Sequence, residues 1–344
     1  MLDIRFIREH PERVRTAMIQ KGEGDTGLVD EVVALDAEWR AMVAETDRLR
    51  AESKQTAKQV GALMAQGRKD EAQDVIRRTG EAKERIREME ERLQAVAARR
   101  ESLLLRIPNV PHESVPVGAT PEQNVVHSEW GTPLEQEWRK PHWELAEEAG
   151  WLDFKRGVKV AGAGFPFYVG SMARLQRALV QFFLDSAGDA GYAEIQPPYF
   201  VNEDSARGTG QIPDKEDMMY VVPRDAFFAI PTAEVPVTNF HREEILEASE
   251  LPIRYCAYTP CWRREAGSYG KDVRGLNRLH QFDKVELVHF ERPEASYDAL
   301  ETLRGHAESL LQSLGLAYRV LLMCTGDMGF TQSKKYDLEV WSPG

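Results

Sequence analysis

Between residues 28 and 106, apolar and small residues recur with a strict alternation of four and three. Leu28, Val32, Leu35, Trp39, Met42, Thr46, Leu49, Ser53, Thr56, Val60 and Leu63 form one series. Val75, Thr79, Ala82, Ile86, Met89, Leu93, Val96, Arg100 and Leu103 form a second. Side chains spaced this way share one stripe of a helix, and a stripe sustained over many turns is buried by a second helix wound round the first. The interruption at Gly67-Arg68-Lys69-Asp70 is short, so the partner is the same chain folded back on itself. An antiparallel helical hairpin follows, with arms of roughly 36 residues extending about 54 Å at 1.5 Å per residue.

The seam is not uniformly apolar. Thr46, Ser53 and Thr56 face Thr79 and Ala82, which makes the outer half weaker than the base and predicts a flexible tip. Residues 1–106 carry 21 basic and 21 acidic side chains, so the whole charge of −12 lies on 107–344. Within the neutral arm, the outer stretch Arg48 to Arg78 holds eight cations and four carboxylates. A positive tip suits a phosphate backbone, contacted without base reading. From the arm alone, a plain coiled-coil spacer or dimerisation element with solvated charges is the better reading. Residues 1–27 read as a short helical lead-in, with Phe6, Ile7, Val14, Ala17 and Met18 at helical spacing, broken by Gly22, Gly24 and Gly27.

Past residue 106 the pattern changes. Ile107-Pro108-Asn109-Val110-Pro111 and Val115-Pro116 stop the helix, and 107–135 reads as a linker. Met172 to Ala187 has the spacing of a core helix, as does Tyr297 to Leu314, with Leu300, Leu303, Leu310, Leu311 and Leu314 inward. Gly162-Ala163-Gly164-Phe165 lacks the Gly-Lys-Ser/Thr of a phosphate loop and receives no role. Two strand-like runs, Ile253 to Trp262 and Gln281 to His289, flank a Gly-rich loop and predict a long-looped antiparallel hairpin. Arg263, Arg264, Lys271, Arg274 and Arg278 give that loop five cations in an acidic protein, which suggests an anion nearby. Arg263 and Glu265 are two apart, so a continuing strand would put them on one face. A fixed guanidinium can grip a phosphate bidentately, and a carboxylate beside it can accept from an amino group.

The order Trp-Arg-Arg-Glu, a glycine-containing loop, then His-Gln-Phe-Asp-Lys-Val-Glu resembles motif 2 of the class II aminoacyl-tRNA synthetases, in the form found in the seryl-tRNA synthetase family. Gly191-Tyr192-Ala193-Glu194-Ile195-Gln196-Pro197-Pro198 is similar to motif 1, which builds the dimer interface in that family. Gly208 to Pro213 resembles its active-site loop, Thr232-Ala233-Glu234 its serine-binding loop, and Thr325-Gly326-Asp327-Met328-Gly329-Phe330 and Tyr336 to Trp341 two further stretches.

The resemblance implies an α+β fold: a helical hairpin, then a mostly antiparallel sheet with flanking helices. It implies a tRNA-binding arm over 1–106 and a class II catalytic core over 107–344. The activity implied is serine–tRNA ligation with ATP, through a seryl-adenylate, in a cytoplasmic homodimer. The tRNA acceptor would be serine tRNA, with selenocysteine tRNA as a further candidate. Arg263 would be the catalytic residue on the α-phosphate, with Arg264 and Glu265 also binding ATP. Thr232, Ala233, Glu234 and Glu286 would bind serine. A pocket that hydrogen-bonds the small hydroxyl rejects alanine, because buried polar groups would be left unpaired. Thr232 and Glu234 also suit the start of a short helix, as a cap. Mg²⁺ would bridge the phosphates, with no ligand assigned inside the chain. His280, Lys284 and His306 are expected to be structural.

No Gly-x-Gly-x-x-Arg of the motif 3 kind follows before Gly344, so the core is expected to lack its C-terminal part and to activate serine inefficiently. The alternatives are an inactive relative that binds tRNA or a partner, and a coiled-coil interaction protein. Cys256, Cys261 and Cys324 lack metal-ligand spacing and read as free thiols of a reducing compartment. No signal-peptide shape or apolar run of spanning length is present.

Overall fold

The computed structural model describes residues 2–134, 140–213, 217–265 and 275–342. The chain divides into two compact units. One comprises Met1–Val125 with Leu322–Lys335, the other Val126–Leu321 with Tyr336–Gly344.

The first unit is built on two long helices, Leu28–Ala65 and Lys69–Leu104, joined by the turn at Gln66 to Arg68. Every seam position named above is buried or half-buried, and Ala72 extends the second series one step further out. The seam threonines satisfy their hydroxyls locally. Thr46, Thr56 and Thr79 each donate to the carbonyl four residues back, at 2.8 Å. Such back-bonding lets a polar residue sit in an apolar seam without an orphaned hydroxyl.

The lead-in helices, Ile4–Glu9 and Pro11–Gln20, close the base. Ile7, Val14 and Met18 pack with Leu28, Val32, Leu35, Leu103 and Ile107 into one core. That core contains a charge the heptad pattern does not reveal. Asp36 is buried and accepts from Arg8, Arg40 and Arg100, each at 2.9 Å, while the Arg100 guanidinium lies 4.1 Å from the Trp39 ring centre. A buried carboxylate persists only with such partners. Segment 322–335 belongs to this unit. It is held by Lys21, whose Nζ donates to the carbonyls of Gly329, Phe330 and Gln332, and by Asn109, His112, Gly118 and Asn124.

The outer cations are less free than their number suggests. Arg48, Arg50, Arg68 and Arg77 are each paired with carboxylates of the arm itself. Lys54, Lys58, Lys69 and Arg78 form no ion pair among the described residues.

The linker expected over 107–135 is partly a sheet element. A 3₁₀ turn at Pro121–Gln123 precedes the strand Val125–Trp130, which joins Tyr318–Leu322 and Tyr336–Val340. The partners come from far down the chain, so local composition could not show the strand.

In the second unit the hairpin pairs Ile253–Trp262 with Gln281–Phe290 over ten residues each. Ala193–Glu194 adds to Tyr255–Cys256 in parallel. Strands of the described residues are shared among four small sheets rather than one. The helices Ser171–Asp189 and Ser296–Ser313 form where expected, and Leu184, Ala187 and Leu303 pack from them into a core with Tyr192 and Cys256. Along them only Ala187 is buried, and Leu314 is exposed. Their apolar faces border a cavity of about 420 Å³ along the second hairpin strand, lined by Phe183, Leu303, His306, Lys284, Glu286 and Leu287. The three cysteines are buried free thiols. Among the described residues no helix is long and apolar enough to cross a membrane.

Candidate active site

Strand alternation builds the site. The register sets Ala257 opposite Glu286, Thr259 opposite Lys284 and Cys261 opposite Phe282. All six therefore project from one face of the hairpin. Ala257, Thr259 and Cys261 are fully buried and form a small, tight floor. Burial pushes the Cys261 thiol pKa up, keeping it neutral and inert.

Over this floor passes the loop Ile230 to Glu234. Ala233 and Val237 pack against Ala257, with Ile195, Tyr255 and Val288 around them. Trp262 N–H donates to Ile230 O at 2.9 Å, which fixes the loop to the hairpin's end. The Thr232 side chain, 5% exposed, donates from Oγ1 to Glu286 Oε2 at 2.8 Å. The same oxygen accepts from the Glu234 backbone N–H at 3.2 Å, at the start of the helix Glu234–Thr238. Thr232 is nevertheless not the cap of that helix, whose N-cap position is Ala233 with no side-chain cap bond. Glu234 sits at the open side of this loop. Its carboxyl pKa is raised, first by the loss of solvation and then by the charge of Glu286, with Lys284 and Arg263 opposing.

Arg263 follows the strand. Its N–H donates to His280 O at 3.0 Å, and His280 Nδ1 lies 3.0 Å from Arg263 O and 3.1 Å from Tyr220 OH. His280 stacks on Phe165, over Gly164, where a Cβ would lie 2.4 Å from the imidazole. His280 therefore serves as a brace, as expected. Arg263 Nε donates to Pro231 O at 3.3 Å, and the guanidinium lies 5.0 Å from the Phe282 ring centre. Among the described residues its terminal nitrogens meet no carboxylate. A guanidinium held by its Nε and by a ring face, with its other nitrogens available, is prepared for an anion.

One expectation fails. Arg263 and Glu265 do not share a strand face, because the strand ends at Trp262 and Glu265 takes φ of +51°. Glu265 turns into a pair with Arg278 at 2.5 Å, and Arg264 pairs with Asp217 at 3.0 Å. Lys271 and Arg274 lie outside the described residues. Lys284 Nζ donates to Thr232 Oγ1 at 2.5 Å and also bonds Glu286. Strand parity with Glu286 was the available signal. The structure brings Arg263, Thr232, Ala233, Glu234, Lys284 and Glu286 together, and sends Arg264 and Glu265 into separate pairs.

Residues 1–111 match the seryl-tRNA synthetase N-terminal domain, and residues 220–344 match the tRNA synthetase class II core domain (G, H, P, S and T). A serine–tRNA ligase of Salinibacter ruber is 56% identical over 343 residues, covering 99% of this chain and 80% of that protein. The chain belongs to the seryl-tRNA synthetase family. The serine–tRNA ligase of Geobacillus kaustophilus is 48% identical, over 100% of this chain and 81% of its own. Among solved structures, seryl-tRNA synthetase from Pyrococcus horikoshii complexed with ATP superposes with a TM-score of 0.90 at 37% identity, covering 100% of this chain and 81% of that one. Cytoplasmic serine–tRNA ligase from Naegleria fowleri in complex with AMP gives 0.84 at 29%, covering 100% and 80%. The α+β architecture, a paired-helix arm and a class II core, is that of the seryl-tRNA synthetase family.

Proposed function

We propose that the polar cluster of Thr232, Glu234 and Glu286 takes serine, that Arg263 grips the α-phosphate of ATP beside it, and that the chain acts as a serine–tRNA ligase. The observation that carries this reading is the adjacency itself. An anion-ready guanidinium bonds the carbonyl of Pro231, the residue before Thr232, and a small floor lies beneath.

The chemistry runs in two transfers. A serine carboxylate oxygen attacks the α-phosphorus, the bond to the β-phosphate oxygen breaks, and pyrophosphate leaves. The terminal ribose hydroxyl of the tRNA then attacks the seryl carbonyl, gives up its proton, and AMP leaves. Neither step needs a covalent enzyme intermediate, so positioning and charge stabilisation carry the rate. Arg263 neutralises charge at the α-phosphate. Glu286 and Thr232 hold the ammonium, Glu234 receives the hydroxyl, and Ala233 shapes the wall. Arg264 and Glu265 are read as flanking the nucleotide. Reaching it requires each to leave its present partner. Mg²⁺ bound with ATP would offset charge on the phosphates, with no residue of this chain assigned to hold it. Among the described residues no cluster of His, Cys, Asp and Glu is arranged to hold a metal by itself.

Residues 1–106 are read as the tRNA-binding arm, with Lys54, Lys58, Lys69 and Arg78 the cations available for phosphates, and 107–344 as the catalytic core. Selenocysteine tRNA remains a second acceptor within this reading. A homodimer in the cytoplasm is the assembly and place it implies. Serine-dependent exchange of pyrophosphate into ATP tests the reading. Exchange driven by another amino acid and not by serine would overturn it.

A further inference from the structure

Lys284 occupies the acceptors that an incoming amino group would need. Its Nζ donates to Thr232 Oγ1 and bonds Glu286 Oε2, the oxygen to which Thr232 itself donates. A lysine ammonium and an amino acid's α-ammonium are alike in charge and in having three protons to give. Two such cations cannot both bond one hydroxyl and one carboxylate oxygen without standing at contact distance, where like charges repel.

The surrounding charges are balanced. The Glu234 carboxyl feels Glu286, Lys284 and Arg263, and the Cys261 thiol feels the same three. Two carboxylates and two cations therefore face one another over the floor. A zwitterion adds one charge of each sign. When its ammonium takes Glu286 and Thr232, the released Lys284 matches its carboxylate, and the balance is kept. A simple amine would displace Lys284 and leave that ammonium without a counter-ion.

We propose that Lys284 is a placeholder cation, which holds Thr232 and Glu286 before substrate arrives and exchanges partners with a bound zwitterion, so that the site reads the ammonium and the carboxylate together. This rests on the reading of the pocket as an amino-acid site and makes Lys284 a specificity-determining residue.

The test is calorimetric titration of the full chain with serine and with ethanolamine, which keeps the hydroxyl and ammonium and lacks the carboxylate. Wild type, Lys284→Met and Lys284→Arg are compared. Lys284→Met is expected to weaken serine by roughly ten- to a hundredfold while ethanolamine is unchanged or tighter. Lys284→Arg is expected to recover part of the preference. Equal weakening of both ligands in Lys284→Met would overturn the proposal, leaving the lysine as a prop for its neighbours. Should that variant fail to fold, the wild type decides. In a crystal structure with serine, the substrate nitrogen should stand within about 3.2 Å of Thr232 Oγ1 and Glu286, with Nζ displaced from both. Nζ still seated between them would overturn it. Wild-type protein that binds no serine would instead overturn the amino-acid reading itself, and this inference with it.

Discussion

The Thr232 hydroxyl donates to Glu286 Oε2 over 2.8 Å, tying a loop to a strand 54 residues later in the chain. Removing it leaves Glu286, the Lys284 ammonium and the Glu234 N–H without their shared partner. An unsatisfied buried group costs about 1–3 kcal/mol. Thr232→Ala should therefore raise the KM for serine by roughly 10- to 100-fold, while Thr232→Ser, which keeps the hydroxyl, stays close to wild type. Steady-state exchange kinetics check this, and an unchanged KM in Thr232→Ala would remove Thr232 from the serine site.

Glu234 gives a pH signature. Lost solvation and the neighbouring Glu286 raise its pKa in the folded protein, so it gains a proton at higher pH than an ordinary Glu at about 4.3. If its ionised carboxylate receives the substrate hydroxyl, kcat/KM for serine falls on the acid side from a pH above that range. Glu234→Gln should lower kcat/KM and abolish that limb. The linkage sign is opposite for stability. A raised folded pKa means the ionised form is penalised above it, so Glu234→Gln should melt at or above the wild-type temperature at neutral pH, with the difference vanishing in acid.

Much of the fold was legible because it is repetitive. The heptad positions of the arm are all covered, and the hairpin runs were read to within one residue. What escaped depended on distant partners. Asp36 looks like a solvated helix charge until Arg8 and Arg100 arrive from other helices. The strand Val125–Trp130 is invisible until residues near 320 and 338 pair beside it. In the site, Arg263, Thr232 and Glu286 were legible from residue order. The Glu265 geometry was not, because strand parity was extended one step past Trp262, where the chain turns. Lys284 could have been read from parity alone, since it stands two residues before Glu286.

Asp36 supplies a stability test. Burial raises its pKa, but hydrogen bonds from Arg8 and Arg40 and the charge of Arg100 outweigh this and hold it below the usual range. The stabilisation is full above the unfolded pKa of about 3.9 and is lost as pH falls through the lower folded value. Asp36→Asn leaves three guanidiniums facing a neutral amide and should cost the first unit about 3 kcal/mol at neutral pH. Urea unfolding at pH 7 and at pH 3 checks both the size and its decline. An Asp36→Asn variant as stable as wild type at pH 7 would contradict it.

The arm makes a salt-dependent prediction. Lys54 and Lys58 are one helical turn apart and unpaired among the described residues. If both touch tRNA phosphates, replacing both with Gln lowers affinity for serine tRNA and reduces the slope of log affinity against log salt by about 1.4–1.8. Filter binding across a salt series reads this directly, and an unchanged slope would move the contact elsewhere on the arm.

The most direct measurement compares serine-dependent pyrophosphate exchange into ATP by the wild-type chain and by Arg263→Ala, each checked for native folding. With Arg263 stabilising charge at the α-phosphate, the variant should lose on the order of 10²–10³ of the wild-type rate. Equal and measurable serine-dependent rates in the two proteins would contradict it.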